Sequence, residues 1–175
     1  MRVCLFCRIA PREVVLPVRL SCYSNMPQSL HCNYGHIVFS TKNREPLITP
    51  DIEPRLFEYL GGIVRGAKAS LIEINGTDNH VHLLIRESKS VADQVFIGQL
   101  KGDSSRWVNE TLQKVGRFSW QDGYGWFSVG PVDVGKAAEY VRNQKEHHKS
   151  VSFEDEFRKF LKKYEVAYDE RYVWD

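Results

Sequence analysis

Gly76–Ile85 reads GTDNHVHLLI, and this stretch decides how the rest of the chain is read. It follows Ser70–Gly76, SLIEING, whose alternation ends in Asn75-Gly76-Thr77-Asp78-Asn79, a strong turn signal. Two adjacent antiparallel strands are therefore expected. Side chains alternate along a strand, so Val81, Leu83 and Ile85 point one way while His80, His82 and Leu84 point the other. The aliphatic set suits a packed core. Two imidazoles then stand on the opposite face, where a strand normally carries valine or leucine.

Working outward, His36–Thr41 (HIVFST) is β-branched and aromatic and runs into the polar turn KNREP, which predicts a first strand. Thr49 reads as an N-cap with Pro50 at the first helical position, and Ile52, Leu56, Leu60, Ile63 and Val64 recur at helical spacing as far as Ala67. From Ser90 a second helical stripe comprises Val91, Val95, Ile97, Leu100, Trp107, Val108 and Leu112. GYGWFSVG from Gly123 predicts a fourth strand, on which either Trp126 or Phe127 faces inward. Asp133 caps a helix over VGKAAEYVRNQKEHHK, preceded by the hinge-like GPVDVG, and Ser152 opens a last helix, FEDEFRKFLKKY. The order β-α-β-β-α-β followed by helices predicts an α+β fold: a ferredoxin-like split βαβ antiparallel sheet with the first two helices on one face. The face carrying His80 and His82 is the one those helices leave bare.

Composition sets the class. The chain has 175 residues, 42% hydrophobic and 26% charged, as expected of one ordinary globular domain with appendages. No apolar stretch approaches the ~20 residues needed to cross a bilayer. A formal charge of +2 does not announce a nucleic-acid partner, so local clusters must do so. Cys4, Cys7, Cys22 and Cys32 all precede the expected core, which excludes a disulfide framework for it; CLFC at Cys4–Cys7 has no second pair to complete a metal site. Residues 1–25 carry Arg2, Arg8, Arg12 and Arg19 against Glu13 alone, and their apolar run is broken by Arg8, Pro11 and Arg12. They read as an upstream extension, with Met26 a natural start, leaving 26–175 as the domain.

Residues two apart on a strand lie about 6.6 Å apart on one face. Two imidazoles so placed either remain hydrogen-bonded histidines or converge on one cation with bonds of about 2.1 Å. The helix from Asp133 bears on the choice, because Tyr140 and Gln144 are one turn apart with His147 and His148 a further turn on, a polar row where aliphatics are usual. That row is either a solvated face or the second half of a site.

DNHVHLL from Asp78, YVRNQKEHH from Tyr140, the opening HIVFSTKNREP and the segment WQDGYGWFSV together resemble the single-tyrosine HUH transposases of bacterial insertion sequences and their palindrome-associated relatives. The resemblance spans about residues 26–175 and leaves 1–25 without a counterpart. It implies His80 and His82 as metal ligands, Tyr140 as the nucleophile and Gln144 as the ligand that completes the metal site. Plasmid-type initiators, which share the histidine pair, usually carry lysine where this chain has Gln144. The implied activity is transposition: nicking and rejoining of single-stranded DNA through a 5′-phosphotyrosine, with recognition of end hairpins. The implied cofactor is Mg²⁺ or Mn²⁺. The implied assembly is a homodimer in which a tyrosine helix completes its own or its partner's site, in the bacterial cytoplasm at the nucleoid.

Lys42, Arg44, Lys101, Arg106, Arg142 and Lys145 are candidate phosphate contacts, each set against the duller role of solvating a face. Trp120 is the candidate platform for an unpaired base, since such stacking contributes about 1 to 3 kcal/mol. Two rivals remain open: a non-catalytic binder of hairpin DNA or RNA derived from a transposase, and a metal hydrolase using bound water in which Tyr140 is dispensable.

Overall fold

Alternation along the third strand is what places the core. The computed structural model describes residues 30–112 and 117–174. The expectations for residues 1–25, including Cys4 and Cys7, lie outside the described residues. The elements are β1 (Tyr34–Ser40), α1 (Glu53–Gly66), β2 (Ser70–Gly76), β3 (His80–Arg86), α2 (Asp93–Thr111), β4 (Gly125–Val129), α3 (Val134–Arg142), the single turn α4 (Gln144–His147) and α5 (Phe153–Lys163). The sheet is antiparallel throughout in the order β2-β3-β1-β4, the split βαβ arrangement that the element order predicts.

Ile37 and Phe39 of β1 and Val81, Leu83 and Ile85 of β3 pack against α1 and α2, with Leu56, Leu60, Val64, Phe96, Ile97, Leu100 and Val108 closing the core. The opposite face presents His36, His80 and His82, all buried, beside Val38 and Phe127. That face is covered by α5, whose Phe153, Phe157 and Leu161 recur at helical spacing, and by the segment bearing Tyr140. Both predicted strand faces are therefore occupied as the alternation requires.

Several boundaries shift for local reasons. Helix α1 begins at Glu53 with Pro54 in its first turn, rather than at Pro50 behind Thr49. The Thr49 hydroxyl donates to Asp51 Oδ1 at 2.5 Å and caps nothing. Helix α2 begins at Asp93, three residues after Ser90; it buries Phe96, which the expected stripe omitted, and leaves Val95 55% exposed. On β4, Phe127 joins the α5 cluster and Trp126 packs against the main core. The predicted continuous helix from Asp133 is broken at Asn143, where φ −94° and ψ 14° separate α3 from α4.

Trp126 lies directly over Gly35 of β1, where an added Cβ would come within 2.5 Å of its Nε1 atom. Overpacking of this kind costs about 1 to 3 kcal/mol. Gly35→Ala should therefore lower the thermal midpoint by several degrees in calorimetry, and an unchanged midpoint would show that Trp126 can move aside.

Candidate metal and tyrosine site

Glu156 is the hub of the buried polar cluster, although it comes from a helix whose inner face is otherwise apolar. Ser152 caps α5 by accepting from Asp155 N at 3.1 Å, and the turn so fixed carries Glu156 between Phe153 and Phe157 onto the sheet. There it is only 2% exposed. Tyr140 donates its phenol hydrogen to Glu156 Oε1, and Gln144 Nε2 donates to the same oxygen at 3.1 Å. On the other carboxylate oxygen, His148 Nε2 stands at 3.1 Å and His82 Nε2 at 3.2 Å. A buried carboxylate is tolerable only with such partners.

The imidazole tautomers follow from their outer contacts. His148 Nδ1 faces the Val151 carbonyl at 2.8 Å, which only accepts, so Nδ1 carries the hydrogen and Nε2 offers a lone pair when the ring is neutral. His80 Nδ1 donates to Asn79 Oδ1 at 2.7 Å, with Thr77 Oγ1 at 2.9 Å, so its Nε2 lone pair also points inward. The two Nε2 atoms are 2.9 Å apart, and His148 Nε2 faces a carboxylate oxygen as well. With His148 neutral, acceptor meets acceptor here. The missing cation is either a metal ion or a proton on His148 Nε2, which burial opposes but the Glu156 carboxylate and the Val151 carbonyl favour more strongly. His82 Nδ1 lies 3.0 Å from His36 Nε2, and its buried Nε2, though near Glu156, lacks the alignment of a hydrogen bond. Buried Gln144 Oε1 also has no hydrogen-bond partner among the described residues.

These donors fit a divalent ion. The ligating atoms of His80, His82, His148 and Glu156 all lie within 4.8 Å of one another. Adjacent ligands on an ion with bonds of about 2.1 Å stand about 3 Å apart. The separations of 2.9, 3.1 and 3.2 Å already meet that spacing. A proton can serve as the cation at one contact only, whereas a metal ion satisfies all four donors at once.

The same geometry sets the electrostatics. Burial acts upward on the Glu156 carboxyl, but the His148 and His82 imidazoles and the Tyr140 hydroxyl outweigh it and hold the group well below the usual carboxylate range. Burial, then Glu156, pushes the Tyr140 phenol well above its usual value. Burial and neighbouring His82 lower His36 to about 3, so this ring is neutral at any physiological pH. Burial likewise depresses His80 and His82, which keeps them as lone-pair donors.

Of the residues singled out in the sequence, Tyr140, His80, His82 and Gln144 are brought together in one chain. Tyr140 and His82 have ring centroids 6.4 Å apart, and Gln144 shares the oxygen that accepts from Tyr140. Helix α3 is held there by Asn75 Nδ2 donating to the Arg142 carbonyl at 2.6 Å and by the Arg142–Glu73 ion pair, while Lys145 of α4 pairs with Glu53 at 2.6 Å. The basic candidates are dispersed. Lys42 faces Asp122, Arg44 pairs with Glu154 at 2.8 Å, and Arg106 faces Asp103. Lys101 donates to the carbonyls of Asp122 and Gly123, and burial lowers its ammonium to about 8.

Trp120 must be corrected. It is buried between Phe39 and Phe118 and donates its indole hydrogen to Ser104 Oγ at 2.9 Å, so it has no face free for a base. The sequence reading missed Glu156 and His36 and noticed His148 without giving it a role. The signal for Glu156 was a carboxylate among phenylalanines on the inner face of α5.

A family model described as Transposase IS200 like matches residues 29–144. The chain belongs to the IS200-like transposase family. Two solved structures resemble this transposase in fold. One is a protein from Deinococcus radiodurans R1 assigned as a transposase, with a TM-score of 0.54 and 20% identity over 70% of this chain and 98% of that one. The other is a REP-associated tyrosine transposase bound to a REP hairpin, with a TM-score of 0.54 and 11% identity over 74% of this chain and 76% of that one. No curated protein matches the chain. His148 and Glu156 lie beyond the segment that the family model matches. Among the described residues no helix of the transposase is long and apolar enough to cross a membrane.

Proposed function

We propose that this transposase is a metal-dependent enzyme that nicks and rejoins single-stranded DNA through a 5′-phosphotyrosine on Tyr140. The observation that carries the reading is the meeting of inward lone pairs from His80 and His148, the unpaired His82 Nε2 and the Glu156 carboxylate, one hydrogen bond from the phenol. His80, His82 and Glu156 would hold a divalent ion, with His148 and Gln144 Oε1 beside them. Bound there, the ion would supply Lewis-acid polarisation of the scissile phosphate.

The side chains account for the rest. Glu156 aims the Tyr140 hydroxyl and offers Oε1 to its proton. As Tyr140 Oη bonds to phosphorus, the bond from phosphorus to the 3′-oxygen breaks and the 3′-end leaves as a hydroxyl. Net, one proton passes from phenol to leaving oxygen. The phosphodiester energy is kept in the tyrosyl link, so another 3′-hydroxyl can reverse the step and join strands without ATP. His36 holds His82 by its neutral ring, and Asn79 and Thr77 hold His80.

Two imidazole ligands, with a third imidazole beside them, favour Mn²⁺ over Mg²⁺, which prefers oxygen ligands. The placement of Tyr140 beside its own chain's His82 supports a site completed in cis rather than by a partner subunit. The REP hairpin held by the fold relative supports end hairpins as the DNA that this enzyme recognises.

Ion binding can be checked without DNA. At a Mn²⁺ concentration one hundred times Kd, binding to the native state adds about 2.7 kcal/mol. Calorimetry should show a rise of several degrees that EDTA reverses and that His82→Ala lacks. Equal midpoints for the wild-type protein with Mn²⁺ and with EDTA would remove the ion from the account.

A further inference from the structure

We infer that the cleft between α3 and α5 is the seat of the unpaired strand that leads to Tyr140, with Lys159 and Lys163 as its phosphate contacts. The inference rests on the function proposed above and adds where the substrate lies. The cleft encloses about 680 Å³, in the range of ligand sites. Tyr140 and Glu156 line it together with Lys136, Lys159, Phe160, Lys163 and Tyr164.

Three observations favour a single strand of DNA as the occupant. The first is charge. Lys159 and Lys163 lie one turn apart on α5, both exposed, and neither forms an ion pair among the described residues. Lys136 is balanced by Asp133 at 3.7 Å, so the two α5 lysines outweigh the Glu156 carboxylate and leave the lining net positive. The basic residues first suspected of meeting DNA are absent from this cleft, and five of the six are ion-paired at 3.6 Å or less or tethered to loop carbonyls.

The second is aromatic surface. Phe160 and Tyr164 are partly exposed, with Phe160 stacked on Phe127 at 5.1 Å and Tyr164 tilted against the same ring at 4.9 Å. Backed by buried Phe127 and lining the cleft, with Lys163 Nζ 5.4 Å from the Tyr164 ring centre, the two rings make a stacking platform beside a cation, which unpaired bases can use and paired bases cannot. The third is continuity. Tyr140 lines the same cleft as Lys159, Phe160 and Lys163.

The test uses the full chain carrying Tyr140→Phe, so that binding is measured without cleavage, with fluorescein-labelled dT15 as probe. Lys159→Ala with Lys163→Ala should weaken binding about tenfold. It should also reduce the slope of log K against log salt by about 1.4, since each phosphate contact on a single strand contributes about 0.7. Lys162→Ala, on the same helix but outside the cleft lining, serves as the control and should change neither. Unchanged affinity and slope in the double variant, or an equal loss in Lys162→Ala, overturns the assignment. The two readings fail separately: a wild-type protein that forms no adduct but loses dT15 affinity only in the double variant removes the catalysis and keeps the cleft.

Discussion

Incubated with Mn²⁺ and a single-stranded oligonucleotide carrying an end hairpin, wild-type protein should become covalently linked to DNA, and Tyr140→Phe should not. The loss should be on the order of 10³-fold or more, as when an enzyme loses its nucleophile. The substitution removes one hydroxyl and leaves the ring, which contacts His36, His147 and Phe160 edge-on. Folding and metal binding should therefore persist, and the loss can be assigned to chemistry. A denaturing gel with labelled DNA reads the result. Cleavage retained by Tyr140→Phe would mean that water is the nucleophile and the protein is a hydrolase. Binding without cleavage by the wild type would mean a recognition module.

Glu156→Gln should have the second-largest effect, and through a different route. The amide keeps the shape of the side chain and still accepts from Tyr140, but it removes the charge that faces His82 and His148. Mn²⁺ affinity by titration calorimetry should fall at least ten- to hundred-fold, the range seen when even outer partners of metal ligands are lost, and adduct formation should fall with it. High Mn²⁺ should restore part of the rate. If metal affinity is unchanged, Glu156 is a structural anchor for α5 and the ion is held by other groups.

Much of this arrangement could be read from the chain because short-range rules govern it. Alternation in HVHLLI assigned Val81, Leu83 and Ile85 to the core and His80 and His82 to the other face, and the packing follows. One-turn spacing put Tyr140 beside Gln144, and both still reach one carboxylate oxygen although Asn143 breaks the helix between them. What could not be read depended on how α5 folds back. Glu156 is 74 residues from His82 in sequence, and no periodicity links them. A carboxylate flanked by Phe153 and Phe157 was an anomaly on an inner face, but its partners appear only when the helix is laid on the sheet.

The surface candidates failed for a related reason. Lysine and arginine are read from sequence as free charges, whereas Arg44, Arg142 and Lys145 meet acids on distant elements. Such exposed pairs contribute about 0.2 to 1 kcal/mol each, enough to orient α3 and α4 but not to reveal them in advance. Trp120 stood next to a turn and looked accessible. It is instead the lid of the core, placed by its bond to Ser104.

The central claim is that one divalent ion and one tyrosine of the same chain form a single site. Anomalous diffraction from crystals grown with Mn²⁺ tests it most directly. The account predicts one strong peak bonded at about 2.1 to 2.3 Å to His80 Nε2, His82 Nε2 and a Glu156 oxygen of the chain whose Tyr140 lies beside it. A peak elsewhere, no peak at saturating Mn²⁺, or a site completed by the tyrosine of a second subunit would contradict it.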